Sequence, residues 1–146
     1  MRKIKHFLFS DWAKYRHIGL LVFRIGLSYQ FVVHHGWDKL IAGPDRWAKI
    51  GELGMTHLGV TIFFTFFGFL AAISESIGAI FIGLGLFFRP AALLLMLTMV
   101  VGVNMHIMTG KGNSELALIY ALSSGVLFFI GPGDYSLDKK LFQSSS

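Results

Sequence analysis

The sequence predicts an all-α integral membrane protein, a four-transmembrane-helix antiparallel bundle with a short interfacial helix in the first external loop. Three observations carry this. Hydrophobic residues make up 54% of the chain and charged ones 14%, against roughly 45–50% and 25% in soluble domains. The stretch Leu58–Phe88 holds a single ionisable residue, Glu75. As a helix at ~1.5 Å per residue it exceeds the ~30 Å hydrocarbon core of a bilayer. The length of 146 residues suits one domain of about four such spans, and the mean hydropathy of +0.64 agrees.

With no cysteine, thiol catalysis, disulfides, Cys-ligated iron–sulfur clusters and CxxCH haem attachment are excluded. The net charge of +5 is concentrated in residues 1–16, where Arg2, Lys3, Lys5, Lys14 and Arg16 flank a short apolar patch. Such a segment anchors at an anionic bilayer surface and gives no reason to expect nucleic acid as a partner. Trp12 and Tyr15 are belt-type aromatics, and Ser10 suits a helix cap. Phe7–Phe9 is too short for a signal-peptide core, and Asp11 interrupts it.

The membrane domain then covers 17–133. Its first span runs from His17 to Gly36 with Arg24 inside it. In the loop Trp37–His57, Pro44 opens a short helix, because a missing N–H costs nothing at that position. Trp47, Ile50 and Leu53 of this helix are expected to face the membrane. The second span, Leu58–Phe88, ends at Arg89-Pro90; the third is Ala91–Met108; the loop TGKGN turns the chain. The fourth, Ser114–Ile130, is closed by Gly131-Pro132-Gly133, and 134–146 form a polar tail. Lys and Arg number five in the N-terminal segment, one at Arg89 and two in the tail, against three in 37–57 and one in 109–113. This bias places both termini in the cytoplasm, in a multi-pass protein of the inner membrane.

Helical rise converts these spans into depths from the cytoplasmic side. Arg24 falls about 12 Å in, Tyr29, Gln30, Glu75 and Tyr120 about 20 Å, and His35, His106 and Glu115 about 26–28 Å. Polar groups from all four spans thus collect in the outer half, with Arg24 beneath them. At 100° per residue, Arg24, Ser28, Phe31 and His35 share one face, which continues to Lys39 if the helix persists, while His34 turns away. Asn104 points nearly opposite to His106. Glu75 shares its face with Gly68, Ala71, Ala72 and Ala79, small residues that allow close helix approach.

A carboxylate in mid-span costs about 2.5–3.5 kcal/mol on insertion scales, so Glu75 requires a partner or a proton. One reading pairs it with Arg24 as a buried counter-ion that fixes the packing of the first two helices. The other makes it a ligand-binding or proton-accepting carboxylate. His35 and His106 are either polar tips in a wet zone or hydrogen-bonding groups for a ligand head. Glu115, behind Asn113 and Ser114, suits the positive end of a helix dipole or joins the same polar set. No recognised metal-ligand spacing occurs, so no metal is expected.

Four blocks carry a family resemblance: FRIGLSYQFVVHHGWDKL, SESIGAIFIGLGLFFRPAA, VNMHIMTGKGNSELAL and GPGDYSLDKKL. In this order and spacing, over about 24–138, the chain resembles the DoxX family of small four-helix membrane proteins. The resemblance implies kinship with the membrane subunit of a thiosulfate:quinone oxidoreductase. It carries over Arg24, Lys39, Glu75, His106 and Glu115 as the polar positions. The expectation is a redox-associated accessory subunit, with a membrane or soluble redox partner and room for oligomerisation. It binds a quinone-like molecule among Glu75, His106, His35, Glu115, Tyr29 and Gln30. The rival readings are a scaffold that anchors a partner protein and, further off, a solute or proton transporter.

Overall fold

The computed structural model describes residues 15–142; the expected interfacial segment lies outside the described residues except for Tyr15 and Arg16. All regular structure among them is helical. Helix α1 covers 16–41, α-helical over Arg16–Phe31 and Trp37–Ile41 with a π turn at Val32–Gly36 between. Helix α2 is Pro44–Met55, followed by a 3₁₀ turn at Thr56–Leu58. Helix α3 is Phe64–Leu84, with its own π turn at Ser74–Gly78. Helices α4 (Phe88–Thr109), α5 (Ser114–Ile130) and α6 (Leu137–Phe142) complete the order.

Two of these, α3 with 21 residues and α4 with 22, are long and apolar enough to cross a membrane. At ~1.5 Å per residue each matches a ~30 Å hydrocarbon core. The 17 residues of α5 are as apolar but shorter. Its start follows from Asn113, whose side chain accepts the Leu116 N–H at 2.9 Å and caps the first turn.

The first expected span is longer than its apolar run suggests. The helix passes through Gly36 to Ile41 and then breaks at Gly43, whose φ of +82° is open to glycine and strained for other residues. Pro44 starts α2 as expected. That helix does not lie across the end of the bundle, however. Ser28 sits beside Gly83, Gly36 beside Glu75, Trp47 beside Gly68 and Gly51 beside Phe64. Helices α1 and α2 therefore form one broken rod, antiparallel to α3 along its whole length. Trp47, expected to face outward, turns in: its ring packs on Phe69 at 4.7 Å and its Nε1 donates to the Lys39 carbonyl at 2.7 Å.

Glycines permit this approach. A Cβ on Gly51 would stand 1.8 Å from the Phe64 carbonyl oxygen, on Gly68 1.7 Å from that of Trp47, and on Gly36 2.1 Å from that of Glu75. The second pairing, α4 against α5, closes the other side. Phe31, Ile82, Phe88 and Leu95, all fully buried, fill the space between the two pairs.

One end of the molecule is tied by the 131–142 segment. Asp138 accepts the N–H groups of Phe87 at 2.8 Å and Phe88 at 2.9 Å, capping α4 and holding Phe87 at its left-handed φ of 42°. Arg24 donates to the carbonyls of Pro132 and, at 2.7 Å, of Tyr135. Nearby, Asp134 receives a hydrogen bond from Lys139, which holds its carboxyl below the usual range.

Substituting alanine for Gly51 or Gly68 forces backbone against Cβ and is expected to cost about 1–3 kcal/mol, as overpacking does. Gly26→Ala, with nothing within 4 Å of the added Cβ, is expected to leave thermal melting unchanged or raise it slightly. Melting of the three variants in detergent tests the close crossing. Equal behaviour would refute it.

Candidate functional site

The two π turns face each other. A π turn packs an extra residue into the helical turn and re-aims the side chains that follow, and such turns recur at functional sites. Here Gly36 lets the Val32–Gly36 turn touch the Glu75 backbone in the Ser74–Gly78 turn. Just beyond, Lys39 Nζ reaches both oxygens of Glu75, at 2.7 and 2.6 Å. Glu75 is 3% exposed, and the Lys39 side chain 26%.

This corrects the expected counter-ion. Glu75 pairs with Lys39, and Arg24 lies more than two helical turns away, among the carbonyls that close the opposite end. The depth count failed because the first turns of α1 are flanked by the 131–136 loop, with Leu20 against Gly133 and His17 against Asp134. Measuring from Arg16 therefore placed Arg24 too deep.

Above the ion pair is a cavity of about 660 Å³, walled by α2, α3, α4 and α5. Its base is Lys39, Glu75, His35, Phe31 and Tyr120; apolar side chains such as Leu70, Leu94 and Met105 form the walls. His35 packs against a pair of touching rings, 5.8 Å from Phe31 and 5.7 Å from Tyr120, which are themselves 4.6 Å apart. At the far rim stand His106 and Asn113. His106 Nδ1 is 2.6 Å from the Lys111 carbonyl. A carbonyl only accepts, so Nδ1 carries the proton, and in the neutral ring Nε2 is the free acceptor. Leu53 of α2 and Leu97 of α4 line the cavity while remaining 53% and 51% exposed. The space therefore opens sideways, through an apolar mouth.

The expected polar set is thus divided. Glu75, His35 and His106 line this cavity, with Lys39. Tyr29 does not: it is 62% exposed and borders a separate groove on the outside of α1. Gln30 is half-buried and absent from the cavity lining, and Glu115 is exposed in the first turn of α5. Of the two adjacent histidines, His35 points inward while His34 is exposed, its ring edge-on to Tyr29 at 6.3 Å. Asn104 also stays off the lining, its buried Nδ2 without a partner among the described residues. Tyr120 was missed as a site residue. Its seven-residue spacing from Asn113, two helical turns, was the available signal.

The sequence model of the DoxX family matches residues 19–108. An uncharacterized protein of Haemophilus influenzae is 32% identical over 143 residues, covering 92% of this chain and 98% of its own length. No solved structure matches. Family and apolar helices together point to a membrane protein.

Breaking the ion pair from either side strands a buried charge. Lys39→Met and Glu75→Met are each expected to destabilise by about 3–5 kcal/mol, and the double variant by clearly less than their sum. Additive losses in a double-mutant cycle of denaturation in detergent would show that the pair is not coupled.

Proposed function

We propose that this chain, which belongs to the DoxX family, binds a quinone-like lipophilic molecule in the cavity above Lys39 and Glu75, as an accessory subunit of a membrane oxidoreductase. The observation that carries the reading is the cavity itself, about 660 Å³ with apolar walls, a charged and hydrogen-bonding floor, and a mouth between Leu53 and Leu97. Its size falls within the roughly 300–1,000 Å³ of ligand pockets. A molecule with a polar ring and an apolar tail matches that gradient, and a sideways mouth suits a ligand that arrives through lipid.

In this reading α3, α4 and α5 cross the bilayer singly, and the broken rod of α1 and α2 makes the fourth crossing. The excess of Lys and Arg in residues 1–16 and in the tail sets both termini in the cytoplasm of the inner membrane. A bound quinone supplies reversible two-electron, two-proton chemistry. The chain's own groups do the holding. Lys39 and the Tyr120 hydroxyl donate to a carbonyl oxygen, His35 confines the ring edge, and Glu75 keeps Lys39 charged and aimed at the floor. His106 Nε2 accepts, at the rim, a hydrogen bond from a hydroxyl of the reduced ring. A redox partner protein is then the electron donor or acceptor.

The test is to purify the protein in a mild detergent and measure co-extracted quinone by mass spectrometry. Wild type is expected to carry quinone, and Leu97→Trp, which narrows the mouth at an exposed position, to lose most of it without a change in melting. An empty wild type, or equal occupancy in both, overturns ligand binding and favours the scaffold.

A further inference from the structure

A second groove, of about 600 Å³, runs along α1 and the last turns of α3 and is closed at one end by the tail. Its chemistry differs from that of the cavity. Arg24 sits at its base, 1% exposed. The guanidinium donates to the carbonyls of Pro132 and Tyr135, and its buried Nε has no partner. No carboxylate lies within ion-pair distance of it among the described residues. Carbonyl dipoles satisfy donors but bring no net charge, so the buried cation has no contacting counter-ion among the described residues. Asp138 offsets part of that charge through space, but its oxygens are bonded to the Phe87 and Phe88 amides and it makes no direct contact with the guanidinium.

Lys140 borders the same groove, also without an ion pair among the described residues, and no acid lines it. The remaining wall is apolar, with Ile25, Val32, Val33, Ile80 and Leu84, and Ser28, Tyr29 and Tyr135 add hydroxyls. We infer that this groove binds one anionic phospholipid, its phosphate between Lys140 and the Arg24 end and an acyl chain along the apolar wall. Two unpaired cations select an anion, and the strip of aliphatic side chains selects one that carries a chain. Basic pockets between membrane helices at the cytoplasmic side take anionic headgroups for the same reason. The inference is independent of the quinone reading and rests only on the protein's lying in a membrane.

Native mass spectrometry of the full chain in detergent, with phosphatidylglycerol or phosphatidylcholine added, tests it. Wild type is expected to retain phosphatidylglycerol in preference, and Lys140→Gln to lower that preference about five-fold, the effect of one cation near a lipid surface. Lys139→Gln, which removes an adjacent lysine already bonded to Asp134 and outside the groove, is expected to change it little. Ile80→Trp, filling the apolar wall, is expected to reduce retention of phosphatidylglycerol. Inorganic phosphate at millimolar concentration is expected not to compete, which separates a lipid from a free anion. Equal retention of the two lipids by wild type overturns the proposal. Equal losses in Lys139→Gln and Lys140→Gln overturn it too, leaving diffuse surface attraction, and competition by phosphate reduces the site to a free-anion site. Association with phosphatidylcholine nanodiscs reads the membrane premise separately.

Discussion

The contact on which the rest of the architecture depends is the backbone approach of Gly36 to Glu75, which sets Lys39 against the Glu75 carboxylate. Three things meet there: a π turn in α1, a π turn in α3 and the only close charge pair in the helix interior among the described residues. A Cβ in place of that glycine would meet the Glu75 carbonyl oxygen at 2.1 Å and force the helices apart at the pair. Remove either charge and the other is stranded in a low-dielectric interior, where desolvation of an ion costs several kcal/mol. Packing and electrostatics at this level are therefore one constraint rather than two.

That constraint also explains the broken rod. Lys39 lies two residues before the end of α1, and its carbonyl accepts only a long 3.4 Å bond from the Ala42 N–H because the helix ends before Gly43. Trp47 from the next helix takes that carbonyl. The break, the lysine and the tryptophan are thus linked, and α2 is drawn alongside α3 instead of lying apart from it. The Gly51–Phe64 and Gly68–Trp47 contacts then fix its register. The cavity is the space left where this thin, glycine-rich half of the molecule faces the bulkier pair α4 and α5.

Much of this was legible in the sequence, and the failures have identifiable causes. The helical class, the start of α2 at Pro44, the bounds of α5 and the singular position of Glu75 all follow from hydropathy, caps and charge. The inward face of His106, opposite to Asn104, follows from a period that α4 keeps over its whole length. The partner of Glu75 did not follow. Lys39 was placed in the mixed loop 37–57, whereas the helix persists to Ile41. Across the π turn the face persists nonetheless, since Phe31, His35 and Lys39 line one cavity. Arg24 was misplaced by a different assumption, that all helices begin at one level. Sequence carries no signal for the tail folding up beside the first turns of α1.

The buried Arg24 and the half-buried Lys39 show how differently one chain can hold a cation. Arg24 is held by neutral carbonyls at the end of the bundle, a fork of donors matched to several oxygens at once. Lys39 is held by a full negative charge at the base of a cavity. A buried ion pair adds little net stability over an apolar pair of equal volume, and Leu or Met there would hold α1 to α3 as firmly. What an apolar pair would not provide is a polar floor under an apolar space. The Lys39 ammonium has three donors, and the Glu75 oxygens occupy at most two of them. The third has no protein acceptor among the described residues and lies in a residue that lines the cavity. In the ligand reading proposed above, an acceptor oxygen would meet a donor already held in place, so its hydrogen bond would form without first breaking the pair that keeps the helices together.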